Sequence, residues 1–129
     1  MQNTEWFDSL NKPFLAPPDW LFTPVWIVLY IMITASFFIF ISGGMTKEKH
    51  VPLIFFLTQL ALNFAWAPVF FGMKNITGAF IIIIFMYIFL ILTIITFFKH
   101  SKTAPLLLIP YLLWISFAAY LNFGYLVLN

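Results

Sequence analysis

Asn63, Trp66 and Pro68 fall within two turns of one another in a stretch, Leu60 to Gly72, that is otherwise apolar enough to cross a bilayer. An amide or an indole in hydrocarbon costs free energy unless it finds a partner, so such side chains face a bundle interior or a cavity. Gln59 lies four residues before Asn63 and Trp66 three after it, which puts all three on one helical face and makes that face a candidate pocket wall. Two other stretches repeat polar-tipped or small residues every four positions: Trp26, Tyr30 and Thr34, then Trp114, Ala118 and Asn122. The first stripe suits either packing or binding, and the notch at Ala118 holds either a neighbouring helix or a ligand. Taken together, Trp26, Tyr30, Asn63, Trp66, Trp114 and Asn122 outline an aromatic cavity that Trp6 and Phe7 could close. Such a lining recognises flat apolar ligands, because indole faces stack on conjugated rings while one amide or indole N–H orients a polar edge. The lining holds no fixed cation, so a ligand carboxylate would point to the mouth, where Lys12 is the nearby candidate.

Other chemistries find little support. None of the four apolar spans contains Asp, Glu, Lys or Arg, which weighs against ion-coupled transport. Cysteine is absent, excluding disulfides and thiolate chemistry. His50 and His100 fall in polar connections and read as solvated side chains, so no metal site is expected. Ser36 and Ser116 are expected to bond carbonyls of their own helices, and no serine, histidine and carboxylate set can be assembled. A conventional enzyme is therefore not expected. With a net charge of +2 spread over loops, nor is a nucleic-acid partner.

The elements that must position these residues follow from composition. Of 129 residues, 64% are hydrophobic, 22% aromatic and 8% charged, and the mean hydropathy is +1.04. That leaves too little charge to cover a soluble domain, so the partner of most of the surface is the lipid bilayer. The expected fold class is all-α, a single transmembrane domain over residues 1–129 with four helices at about 20–41, 52–71, 76–98 and 104–128. Residues 1–19, with Pro13, Pro17 and Pro18, form a non-helical arm that serves either as an interfacial anchor or as a lid. Asp19 should cap the first span and Gly43-Gly44 end it. Pro68 should kink the second span or tighten its last turn, and Pro110 sits early in the fourth. The third span carries no evident chemistry and reads as a scaffold helix, with Gly78 and Ala79 allowing close contact. One pair of loops holds Lys47, Lys49, Lys99 and Lys102 against Glu48 alone, so both termini are expected to face away from the cytoplasm. An outward start without a signal peptide suggests a further helix ahead of Met1.

Trp6-Phe7 with Leu10 to Pro13, Pro17 to Trp20, Pro24 to Trp26 with Tyr30, Gln59 to Pro68 with Phe70 to Gly72, and Pro110-Tyr111 with Trp114, Phe117, Ala118, Leu121 and Asn122 form an ordered set. They resemble the TspO/translocator protein family, also called tryptophan-rich sensory proteins or peripheral-type benzodiazepine receptors, over essentially the whole chain. The resemblance implies a membrane protein of five spans, often a homodimer, in the bacterial cytoplasmic membrane for a chain of this kind. It implies binding of porphyrins, protoporphyrin or haem among them, and of benzodiazepine-like drugs, with a role in tetrapyrrole handling and no required cofactor. For some relatives it implies light-dependent breakdown of protoporphyrin by pocket tryptophans, here Trp26 and Trp114; tetrapyrrole transport is a further alternative. By position, the ligand-lining residues would be Trp26, Asn63, Trp66, Trp114 and Ala118, with Trp6 and Phe7 on the lid. Against the family pattern, the chain begins where the loop after the first span should be, so that span is absent or was left off, Phe7 replaces a usual tyrosine and Gly78 a frequent tryptophan. No Lys or Arg follows Phe123 and Tyr125, which argues against sterol as the physiological ligand.

Overall fold

The computed structural model describes Leu10, Asn11, Pro13 and residues 19–129, Asp19 by its backbone alone. The long helices are α1 (Phe22–Ser42), α2 (His50–Ala67), α3 (Ile76–Phe97) and α5 (Ile109–Leu128), with a short α4 (Thr103–Leu107) leading into α5. Four stretches, Phe22–Ser42, Lys47–Gly72, Ile76–Phe97 and Thr103–Leu128, are long and apolar enough to span a bilayer.

Each long helix buries one narrow stripe. In α1 it is Leu29, Ile33, Ser36 and Phe40; in α2, Pro52, Phe56, Gln59 and Asn63. In α3 it includes Ala79, Ile83, Met86, Leu90, Thr93 and Phe97, and in α5, Tyr111, Ile115, Asn122 and Tyr125. Steps of three and four residues place each set on one side. The stripes contain the amides Gln59, Asn63 and Asn122, whereas Val28, Ile31, Leu57, Phe64, Phe85 and Leu113 are exposed. Lipid tails are as apolar as these side chains, so nothing is gained by hiding them, while an amide must be hidden with its partner.

Helix α3 packs along both α2 and α5, and α1 leans mainly on α4 and more lightly on α5, while it meets α2 through side chains, Tyr30 with Asn63 and Phe64 and Phe37 with Phe56, with the backbones further apart. That arrangement leaves space between α1 and α2.

The proline positions behave differently from expectation. The N-cap of α1 is Leu21, without a side-chain cap, because the chain enters through a 3-10 turn at Asp19–Leu21. Pro68 neither tightens nor simply kinks α2: Pro68–Gly72 is a π turn, widened so that the Met73 N–H reaches the Pro68 carbonyl at 2.9 Å. Asn75 caps α3 by accepting from the Gly78 N–H at 2.8 Å. The last span is broken at Leu108, whose N–H bonds the Pro105 carbonyl, and Pro110 starts α5 where its missing N–H is tolerated. The break leaves the Ala104 carbonyl to Ser36 Oγ, at 2.7 Å, so Ser36 ties α1 to α4 instead of bonding its own helix. Ser116 does bond its own helix, at the Leu112 carbonyl, 2.9 Å away.

Candidate functional site

One cavity of about 410 Å³ opens within the bundle. Helix α1 supplies Phe22, Thr23, Trp26, Ile27 and Tyr30; α2 and its π turn supply Asn63, Trp66, Ala67, Phe70 and Phe71. Ile83 and Met86 come from α3, and Trp114, Ile115, Ala118, Leu121, Asn122 and Tyr125 from α5. Trp26, Tyr30, Asn63, Trp66, Trp114, Ala118 and Asn122, all singled out by type and spacing, therefore share this lining. Trp6, Phe7 and Lys12 lie outside the described residues.

Several rings around the chamber meet at steep angles. Trp26 and Trp114 cross at 89° with centroids 6.4 Å apart, and Phe22 meets Trp114 at 70° and 5.7 Å. Trp66 stacks on Phe70 at 5.0 Å and turns its edge to Phe71 at 87°. Edge-to-face contact is favourable and leaves ring faces uncovered.

Polar anchors fix these positions. The Trp66 indole N–H donates to Asn122 Oδ1 at 2.9 Å, and Asn122 Nδ2 donates to the Ile76 carbonyl at 3.2 Å. At the chamber floor, Tyr30 donates to Asn63 Oδ1, Asn63 Nδ2 to the Tyr111 oxygen at 2.8 Å, and Tyr111 to Gln59 Oε1 at 2.8 Å. The chain ends where Gln59 Nε2 donates to the Phe56 carbonyl at 2.9 Å. The Met86 sulfur lies 3.5 Å from the Tyr111 oxygen. Among the described residues, the buried side-chain nitrogen or oxygen left without a partner is the Trp114 indole nitrogen.

These contacts revise several expectations. Gln59 shares the face of Asn63 and Trp66 but is fully buried beneath the chamber and does not line it. Asn122 is less a bare wall than the anchor of Trp66. The third span is more than a scaffold, since Ile83 and Met86 form part of the lining. Tyr111 was invisible as a functional residue outside the motif resemblance, because its hydroxyl matters only once α5 lies against α2.

The described part of the arm meets the same end of the bundle. Asn11 and Asn129 exchange two hydrogen bonds, Asn11 N–H to Asn129 Oδ1 and Asn129 Nδ2 to the Asn11 carbonyl, both at 3.0 Å. Leu10 packs on the cluster of Phe70, Phe71, Leu121 and Tyr125, four residues that also line the chamber.

A family model described as TspO/MBR family matches residues 1–128. The chain is 45% identical over 125 residues to "Tryptophan-rich protein TspO" of Chlorobaculum tepidum, covering 96% of this chain and 79% of that one. It is 37% identical over 125 residues to "Tryptophan-rich sensory protein" of Cereibacter sphaeroides, covering 97% and 77%. With the human "Translocator protein" it shares 36% over 124 residues, covering 95% and 73%.

Proposed function

The chain belongs to the TspO/MBR family, and from that premise we propose that it is a membrane binding protein or sensor whose chamber takes porphyrins and similar flat apolar ligands, with a role in tetrapyrrole handling. It is an integral, multi-pass membrane protein. The observation that carries the reading is that indoles from α1, α2 and α5 (Trp26, Trp114 and the tethered Trp66) border one apolar space. At about 410 Å³ that space falls in the range of ligand pockets, roughly 300–1,000 Å³. Ile27 and Tyr30 line both the chamber and an outer groove with Ile31 and Thr34, so part of a larger ring system can extend along α1.

The test is titration of protoporphyrin into the micelle-embedded protein, read from the absorbance of the porphyrin itself. Saturable binding is expected, strongly weakened in a Trp26→Ala, Trp114→Ala double variant. Equal binding by the double variant and the wild type would place the porphyrin elsewhere.

A second reading is favoured by the contact between Trp26 and Trp114: with light and dioxygen as oxidant, the bound porphyrin is broken down beside indoles that can give up an electron. Product formed under illumination, and lost in Trp→Phe variants that still bind, separates this from binding alone. Loss at the same rate with free tryptophan in solution is ordinary photobleaching. For orientation, the loop lysines favour both described ends facing away from the cytoplasm; a reporter after Asn129 found in the cytoplasm would reverse that assignment.

A further inference from the structure

The polar chain under the chamber has a direction, and a single backbone atom sets it. The Phe56 carbonyl can only accept, so the Gln59 amide must turn Nε2 toward it. Gln59 Oε1 then faces the Tyr111 oxygen and, having only lone pairs, takes the Tyr111 proton. With its proton committed, Tyr111 accepts from Asn63 Nδ2, which turns Asn63 Oδ1 toward Tyr30 and obliges Tyr30 to donate. Reversing the order would set Gln59 Oε1 against a carbonyl, two acceptors face to face in the interior.

Tyr30 and Asn63 are the members of this chain that line the chamber, and the Asn63 amide is already engaged by Tyr30 on one side and by Tyr111 and the Met86 sulfur on the other. The Tyr30 proton is given to Asn63, and no described residue donates to the Tyr30 oxygen. A hydroxyl that donates becomes a better acceptor, because successive hydrogen bonds polarise one another. We infer that the chamber selects flat apolar ligands that bring a hydrogen-bond donor, an N–H or O–H on the ring edge, to the Tyr30 oxygen. Asn63, Tyr111 and Gln59 are positioning residues that hold Tyr30 in its accepting state. This rests on the reading of the chamber as a site for flat ligands and adds the polarity of the edge it prefers.

The probes are carbazole and dibenzofuran, fused three-ring systems of nearly the same shape in which an edge N–H is exchanged for an oxygen. Binding is measured to the full chain in lipid nanodiscs, with empty nanodiscs as the partition blank. In the wild type carbazole should bind about fivefold to tenfold more tightly, the value of one hydrogen bond gained against two acceptors opposed. Tyr30→Phe should bring the two probes within about twofold of each other. Asn63→Leu should release the Tyr30 proton toward the chamber, so that the carbazole advantage disappears or turns into a preference for dibenzofuran. A merely structural effect of that substitution would weaken both probes and leave their ratio unchanged. Equal affinities in the wild type, or a carbazole preference that survives Tyr30→Phe, overturns the inference while leaving the chamber as a ligand site. Neither probe binding above the blank removes both readings.

Discussion

At the end of the bundle near residues 43–49 and 98–103, Phe40 lies flat on Phe97, centroids 3.8 Å apart and planes 6° apart, and Phe56 extends the stack at 5.9 Å and 13°. At the opposite end Trp26 meets Trp114 at 89°, and Trp66 meets Phe71 at 87°, around a cavity of about 410 Å³. Both ends are rich in aromatic rings, so aromatic content does not decide which one is hollow. Phenylalanine has no polar tip and can slide until the rings touch, as dense packing favours. Trp66 and Tyr30 are held at their polar tips by Asn122 and Asn63, and so are kept from collapsing into the space between them. The tethers, more than the rings, make the chamber.

If that contrast holds, truncation should be most damaging where the rings are packed. Phe97→Ala is expected to cost about 3–5 kcal/mol, as for other buried phenylalanines, read from thermal or denaturant unfolding in detergent. Trp26→Phe, beside an existing void, should cost under about 1.5 kcal/mol. Similar losses for the two substitutions would erase the distinction between the ends.

The tether hypothesis is tested next by Tyr111→Phe. This removes one oxygen and strands Asn63 Nδ2 and Gln59 Oε1 in the interior, at a cost of about 1–3 kcal/mol. Loss of ligand affinity alongside that destabilisation would indicate that the chamber shape depends on the network. An unfolding midpoint equal to the wild type would mean that the hydroxyl carries no tension between α2 and α5.

Lys49 provides the counterpart at the filled end. It is only 7% exposed, donates to the Phe40 carbonyl at 2.8 Å and lies 5.0 Å from the centre of the Phe40 ring. A cation at the carboxyl end of α1 answers carbonyls that have no helical partner. Lys49→Met should cost about 1–2 kcal/mol and leave probe binding at the other end unchanged. A change in binding would show that the two ends are mechanically coupled.

How much of this was legible beforehand follows from what each residue depends on. The four spans were readable because hydropathy acts within a helix, and the shared lining of Trp26, Asn63, Trp66, Trp114 and Ala118 was readable from four-residue spacing and motif resemblance. Lys49 was not, since a lysine between Glu48 and His50 in a charged turn reads as solvated until α1 is seen to end above it. Tyr111 and Met86 were missed for the same reason: what they touch is set by helix–helix contacts absent from any local pattern. The π turn at Pro68 escaped because a proline in a helix signals disruption without saying whether the turn narrows or widens.

The smallest expected effect concerns the contact of Pro13 with the hollow end. Gly124 faces the arm, and a Cβ built there would lie 2.4 Å from Pro13 Cβ and 2.9 Å from Pro13 Cγ, so one of them must move. Pro13 is buried in that contact, and the arm is also held by the Asn11 and Asn129 pair. Gly124→Ala should favour α5 by about 0.5–1 kcal/mol through helix propensity, offsetting what is lost when Pro13 is displaced. Global unfolding should therefore move little, while protease cleavage within residues 1–19 should accelerate and bound ligand should leave faster. A filled end holding a packed lysine and a hollow end bordered by Leu10, Asn11 and Pro13 predict this separation of local from global stability. Unchanged cleavage in the variant would mean that the Asn11–Asn129 clasp alone secures the arm, and that the small residue at 124 serves only to let the proline pass.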